Sequence, residues 1–200
     1  MPAPRRNESA AGGAVQWMFK WPFRAILSFL IWTRIRPWQL TVLSLVCTIV
    51  TGVLVLAGEW FAAGWVLLAA GLCDVFDGSV ARHRGEARRS GAFMDSVLDR
   101  VADMVLFACL FWNLAAHGDR FLAALALVTL IVSLSVSHVR AEAEAAGVAL
   151  TEGLFQRLER VSATIIGLLV PGAMGPVLVL LAALGAFTVI QRGFSALRGA

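Results

Sequence analysis

Five aspartates carry most of the chemistry that this sequence can do. Asp74 and Asp77 are three residues apart, Asp95 and Asp99 are four apart, and Asp103 extends the second set by one more turn. On helices, each set lies along one face. The flanking runs are apolar enough to enter a bilayer, where a charged side chain costs about 2.5–3.5 kcal/mol on insertion scales. Carboxylates gathered there also repel one another. Divalent cations relieve both penalties, and oxygen ligands on facing helices suit Mg2+ or Mn2+. The competing reading pairs the aspartates with Arg82, Arg84, Arg88, Arg89 or Arg100. A second charged set, Arg140, Arg157, Arg160 and Arg192, falls at the ends of later apolar runs. Guanidinium forks bind phosphate oxygens in pairs, so this set points to a phosphorylated small molecule. Anchoring to lipid headgroups is the plainer alternative, and pairing with Glu159 or Glu142 is the plainer one for Arg160.

The elements that position these groups follow from composition. Of 200 residues, 59% are hydrophobic and 15% charged, with a mean hydropathy of +0.79. Soluble domains carry about 25% charged residues. The balance excludes a disordered chain or a disulfide scaffold and argues against a soluble enzyme. Cys47, Cys73 and Cys109 sit in apolar stretches without metal-ligand spacing and read as small buried hydrophobes. The arginines interrupt apolar runs rather than line a polar face, so no nucleic-acid partner is expected.

The uncharged runs predict an all-α, polytopic membrane protein. Six transmembrane helices are expected at roughly 38–58, 60–82, 92–116, 120–145, 154–172 and 175–196. The last two are separated by Pro171-Gly172-Ala173-Met174-Gly175-Pro176, a turn signal. Residues 1–13 read as a disordered tail. In residues 14–36, Trp17, Phe19, Trp21 and Trp32 alternate with Lys20, Arg24, Arg34 and Arg36. That pattern reads as an interfacial amphipathic helix ahead of a six-helix domain at 37–197, a short seventh span being the alternative. With six spans, every Lys and Arg except Arg120 falls on or near one side. The asymmetry places both termini, and the aspartates, at the cytoplasmic face of the cell membrane.

Residues 74–99 read D-x2-D-G-x2-A-R-x8-G-x3-D-x3-D through Asp74, Asp77, Gly78, Ala81, Arg82, Gly91, Asp95 and Asp99. All eight fixed positions match the signature of the CDP-alcohol phosphotransferase (CDP-alcohol phosphatidyltransferase) family. The six-span layout also resembles that family over roughly residues 30–196. The resemblance implies transfer of a substituted phosphate from a CDP-linked donor to an alcohol, with release of CMP. It implies a two-metal centre, Mg2+ or Mn2+, on Asp74, Asp77, Asp95 and Asp99, with Asp99 also the general base. CDP-diacylglycerol is the implied donor, held by Thr41, Asp74, Gly78, Ala81, Arg82 and Gly91. Packing of helices through small residues is the other reading of Gly78 and Gly91. A homodimer formed through membrane helices is implied as well.

The sequence departs from the family pattern in places. A stretch that is often Thr-Pro-Asn/Asp-x-x-Thr reads Arg36-Pro37-Trp38-Gln39-Leu40-Thr41, and Arg88 stands where Ser or Thr is frequent. The segment around Arg140 and Arg157 resembles the branch of the family that makes phosphatidylinositol phosphate. By that resemblance Arg140, Arg157 and Arg192 would bind the phosphate of inositol 1-phosphate, with Arg140 in place of a Lys and Leu158 in place of a Pro. Glycerol 3-phosphate is the rival acceptor, making phosphatidylglycerophosphate. His138, one turn from Glu142, reads as a polar residue near the interface. A different class, an ion- or proton-coupled transporter, would also use intramembrane carboxylates, but neither inverted repeats nor broken helices are apparent.

Overall fold

The computed structural model describes residues 23, 25–33, 35–85, 89–147 and 157–199. The tail at 1–13, the first part of the 14–36 segment, Arg88 and the expected start of the fifth span lie outside the described residues. The described residues form seven helices. A short one, α1, covers 25–32, followed by α2 (Pro37–Leu56), α3 (Trp60–His83), α4 (Arg89–Ala116), α5 (Arg120–Ala145), α6 (Arg157–Leu169) and α7 (Met174–Gly199).

Local chemistry sets the ends. Pro37 opens α2 at the position where no backbone donor is needed, and the Gln39 side chain accepts the Arg36 N–H at 2.8 Å. Gly58, Gly118 and Gly172 reverse the chain between α2 and α3, α4 and α5, and α6 and α7, with φ of 82°, 84° and 79°. Those left-handed angles favour glycine. The tight connections make three antiparallel hairpins. The interruption before α7 is shorter than the expected turn, since Met174 already begins the helix and Pro176 lies within its first turn.

The packed pairs are α2·α3, α3·α6, α6·α7, α7·α5, α5·α4 and α4·α2. Six helices therefore close a ring in the order α2, α3, α6, α7, α5, α4. Directions alternate along the chain, so one end of the ring collects the starts of α2, α4 and α6 and the ends of α3, α5 and α7, and the neighbours α2·α4 and α5·α7 run parallel. The other end holds the apolar core, built from Val55, Leu67, Leu106, Phe107, Leu110, Leu178 and Leu181 among others. Buried hydroxyls satisfy themselves on carbonyls one turn back, as Thr48, Thr51, Thr129, Thr164 and Thr188 do.

The outer surface is apolar. Val42, Val46, Ile49 and Val53 on α2, and Phe121, Val128 and Ile131 on α5, are all exposed. A protein in water rarely shows so much contiguous apolar surface; here lipid covers it. Among the described residues, four helices are long and apolar enough to cross a bilayer: Pro37–Leu56, Trp60–His83, Arg120–Ala143 and Met174–Ser195. The 28 residues of α4 have the length but carry the aspartates, and the 13 described residues of α6 reach only about 20 Å. Helix α1 lies against α2 and α3. Phe23, Leu27 and Leu30 meet Leu40, Phe76 and Val80, with the Phe23 and Phe76 rings stacked at 4.9 Å. Ile26, Phe29 and Trp32 face outward.

Candidate active site

The polar end of the ring draws three carboxylates together. Asp74 near the end of α3, and Asp95 and Asp99 near the start of α4, present oxygens that all lie within 4.8 Å of one another. Among the described residues α3 and α4 do not pack against each other, so the cluster forms across the interior of the ring. Arg157, the first described residue of α6, spans it. Its Nη1 donates to Asp74 Oδ1 at 2.5 Å and to Asp99 Oδ1 at 2.8 Å. Asp77, one turn beyond Asp74, is turned toward α2, where its Oδ2 accepts a hydrogen bond from Thr41 Oγ1 at 2.7 Å.

These residues fit a divalent cation. One guanidinium neutralises one of three carboxylates. Asp95 Oδ1 is buried without a hydrogen-bond partner, an arrangement that a bound cation relieves. All the available ligands are hard oxygens, the donor set Mg2+ and Mn2+ prefer.

Two cavities flank the cluster. One, of about 310 Å³, is lined by Thr41, Asp77, Gly78, Ala81, Arg82, Gly91 and Asp95, with Trp38, Val42, Met94 and Leu98 as apolar walls. Apart from Asp74, it gathers every residue that the sequence assigns to the CDP-linked donor. The other, of about 460 Å³, is lined by Asp95, Asp99 and Asp103 and by Arg100, Arg140, Arg157, Arg160 and Arg192. It contains all three arginines assigned to the acceptor phosphate. Asp95 and Ala92 line both spaces, so the carboxylate cluster lies between them.

Several expectations need correction. Arg160 pairs with neither Glu159 nor Glu142. Its Nη2 meets Asp103 Oδ2 at 2.8 Å in a buried contact, because Asp103 points from α4 across the ring while both glutamates lie elsewhere on the helix surfaces. Among the described residues ion pairing of the aspartates does occur, through Arg157 and Arg160; Arg88 and the Arg89 side chain lie outside them. Arg82 donates to Ser79 Oγ at 3.3 Å, Arg84 to the Ile31 carbonyl at 3.1 Å, and Arg100 to the Ser137 carbonyl at 3.4 Å.

Gly91 and Gly78 do not serve helix packing. A Cβ at Gly91 would meet nothing within 4 Å, and at Gly78 only the Arg82 guanidinium, nearest at 3.2 Å. Both leave room in the first cavity. Glycines that do serve packing include Gly52 against Cys109, Gly64 against Leu168 and Leu169, and Gly185 against Val132. Trp38 stands in the wall of the first cavity, at the position where the family often has a small polar residue. His138 lies on the surface, 3.9 Å from Glu142 and outside both cavities.

Four polar groups in the second cavity have no site role assigned from sequence: Ser96, Arg100, Asp103 and Ser137. Only the four-residue step from Asp99 to Asp103 hinted at one of them.

An all-helical membrane bundle with paired cavities around a carboxylate cluster defines a class, and the comparisons place the chain in it. Residues 34–191 match the CDP-alcohol phosphatidyltransferase family, and the chain belongs to that family of phospholipid-synthesising transferases. It is 33% identical over 177 residues to the phosphatidylinositol phosphate synthase of Corynebacterium glutamicum, covering 84% of this chain and 80% of the relative. It is 37% identical over 141 residues to the archaetidylinositol phosphate synthase of Methanothermobacter thermautotrophicus, covering 68% and 70%. The crystal structure of Mycobacterium tuberculosis phosphatidylinositol phosphate synthase with CDP-DAG bound superposes with a TM-score of 0.78 at 30% identity, over 86% of this chain and 92% of that one. The same enzyme in complex with manganese and citrate gives 0.77, over 86% and 87%.

Proposed function

We propose that this enzyme transfers the phosphatidyl group of CDP-diacylglycerol to a hydroxyl of inositol 1-phosphate and releases CMP. The observation that carries the reading is the arginine-lined cavity, which meets Asp99 on one side of the carboxylate cluster while the donor cavity lies on the other. Five arginines line that space, and guanidinium forks are the side chains best suited to bind a phosphate. The relatives named above that use inositol phosphate support the same choice.

In this reading Thr41, Gly78, Ala81, Arg82 and Gly91 hold the cytidine diphosphate portion, and the apolar walls by Trp38, Val42, Met94 and Leu98 receive the lipid portion. Asp74, Asp77, Asp95 and Asp99 hold two divalent ions, Mg2+ or Mn2+. When bound, such ions polarise the diphosphate and stabilise the leaving oxygen of CMP. Arg140, Arg157 and Arg192 hold the acceptor phosphate and aim its hydroxyl at the phosphorus that bears diacylglycerol. Asp99 takes the hydroxyl proton as the new P–O bond forms. The P–O bond to CMP breaks, and CMP leaves with the electron pair.

The membrane arrangement belongs to the same proposal. Helices α4 and α6 join the four apolar helices to make six spans, the 14–36 segment rests at the interface, and both termini and the site face the cytoplasm. Two copies associate through membrane helices.

The test is CMP release by the purified protein in mixed micelles with CDP-diacylglycerol and Mn2+. Inositol 1-phosphate, glycerol 3-phosphate, free inositol and serine are supplied separately. Selective turnover of inositol 1-phosphate is expected, abolished by EDTA and restored by Mg2+ or Mn2+. Turnover of glycerol 3-phosphate alone would keep the donor chemistry and overturn the acceptor.

A further inference from the structure

We propose that Asp103, Ser133 and Arg160 form a positioning unit for the acceptor cavity, separate from the metal-binding aspartates. In sequence Asp103 continues the four-residue step from Asp95 and Asp99, and so resembles a further metal ligand. The geometry removes it from that set. Like that of Asp77, its carboxylate is not in the group formed by Asp74, Asp95 and Asp99, but unlike Asp77 it is tied to a buried guanidinium. Both of its bonds are made at Oδ2, which accepts from Ser133 Oγ at 2.5 Å and from Arg160 Nη2 at 2.8 Å. Asp103, Ser133 and Arg160 are 5%, 1% and 5% exposed.

The unit joins three helices. Asp103 is on α4, Ser133 on α5 and Arg160 on α6. Among the described residues α4 and α6 do not pack directly, so side chains bridge the gap between them. They do so twice. Asp99 and Asp103 are four apart on one face of α4, and Arg157 and Arg160 are three apart on one face of α6. The pairs Asp99–Arg157 and Asp103–Arg160 are thus two rungs across one gap. The outer rung stands at the cavity, a fifth to a quarter exposed. The inner rung is nearly buried at the wall of the same cavity.

Arg157 is the first described residue of α6, one turn nearer the polar end of the ring than Arg160. The inner rung, one turn further in, sets the rotation and depth of α6 and so the reach of Arg157. Arg160 Nε is buried without a partner, so retention of that guanidinium falls on Asp103. A buried pair of this kind is poor evidence for added stability, and its use here is geometric.

The inference rests on the two-cavity reading above. Its test uses the full-length protein in mixed micelles, with Mn2+, CDP-diacylglycerol and whichever phosphorylated acceptor the wild type turns over. Four variants are compared: Asp103→Asn, Ser133→Ala, Arg160→Lys and Arg160→Met. For Asp103→Asn the acceptor KM rises tenfold or more, while the donor KM and the half-saturating Mn2+ stay within twofold. Ser133→Ala, which spares the ion pair, gives about a threefold rise and decides the matter if Asp103→Asn does not fold. Arg160→Lys retains more acceptor affinity than Arg160→Met. A shift in half-saturating Mn2+ as large as that of Asp95→Asn would place Asp103 in the metal centre and overturn the proposal. An unchanged acceptor KM in the variants would overturn it as well. Failure of the wild type on inositol 1-phosphate, by contrast, defeats only the acceptor assignment.

Discussion

Replacing Arg157 by Gln separates two roles that the sequence could not distinguish. An arginine that only grips the acceptor phosphate changes the acceptor KM and little else. In the structure Arg157 also bridges Asp74 and Asp99 at 2.5 and 2.8 Å. Hydrogen bonds to charged groups contribute about 1.5–3 kcal/mol each. The arginine side chain is 20% exposed and the two carboxylates 27% and 25%, so water compensates part of the loss. About 3 kcal/mol for the two bonds is a reasonable net figure; the bridge holds both carboxylates in their reacting positions, and its full loss in the transition state corresponds to a fall of up to about 100-fold in kcat. Metal affinity moves the other way. A guanidinium and a divalent ion separated by about 5 Å repel by roughly 1.7 kcal/mol even at the dielectric of water. Removing the guanidinium therefore lowers the half-saturating Mn2+ by about tenfold. CMP release, titrated with Mn2+ at saturating acceptor, reads both quantities. Lower kcat with tighter metal supports the bridging role, a combination that general misfolding does not produce. A kcat within threefold of wild type, or a weaker metal response, would refute it.

Thr41→Val keeps the shape of the side chain and removes the 2.7 Å bond to Asp77; kcat/KM for CDP-diacylglycerol falls about tenfold, with the acceptor KM unmoved in the same CMP assay. Asp99→Asn abolishes CMP release while the protein stays monodisperse in detergent, and residual activity above a tenth of wild type would remove Asp99 as the base. Gly64→Val is destabilising, since a Cβ there lies 2.7 Å from the Leu169 side chain and 3.2 Å from Leu168 Cβ. Overpacking of this kind costs about 1–3 kcal/mol and lowers the thermal midpoint by several degrees. Gly91→Ala, with nothing within 4 Å of the added carbon, leaves the midpoint unchanged and raises the donor KM.

Much of this protein was legible along the chain. The spacing of Asp95 and Asp99 announces paired carboxylates because helical period sets which residues share a face, whatever surrounds the helix, whereas Asp77 turns from Asp74 toward Thr41. The hairpin turns at Gly58, Gly118 and Gly172 follow from local backbone sterics. The apolar runs follow from the requirement that a bilayer-facing helix expose few polar groups.

Only the tertiary structure decided which helices are neighbours. The ring order sets α6 beside α3 and opposite α4, and that order is what carries Arg157 onto Asp74 and Asp99 and pairs Arg160 with Asp103. The two kinds of glycine divide on the same ground. Gly64 is closed by Leu168 and Leu169 of α6, whereas Gly91 opens on a cavity, and nothing within either helix distinguishes them. Periodicity fixes directions inside a helix through bonds between residues a few positions apart. Partners across the ring are chosen by packing between residues far apart in sequence, 83 positions for Arg157 and Asp74 and 105 for Gly64 and Leu169, and that choice depends on all six helices at once.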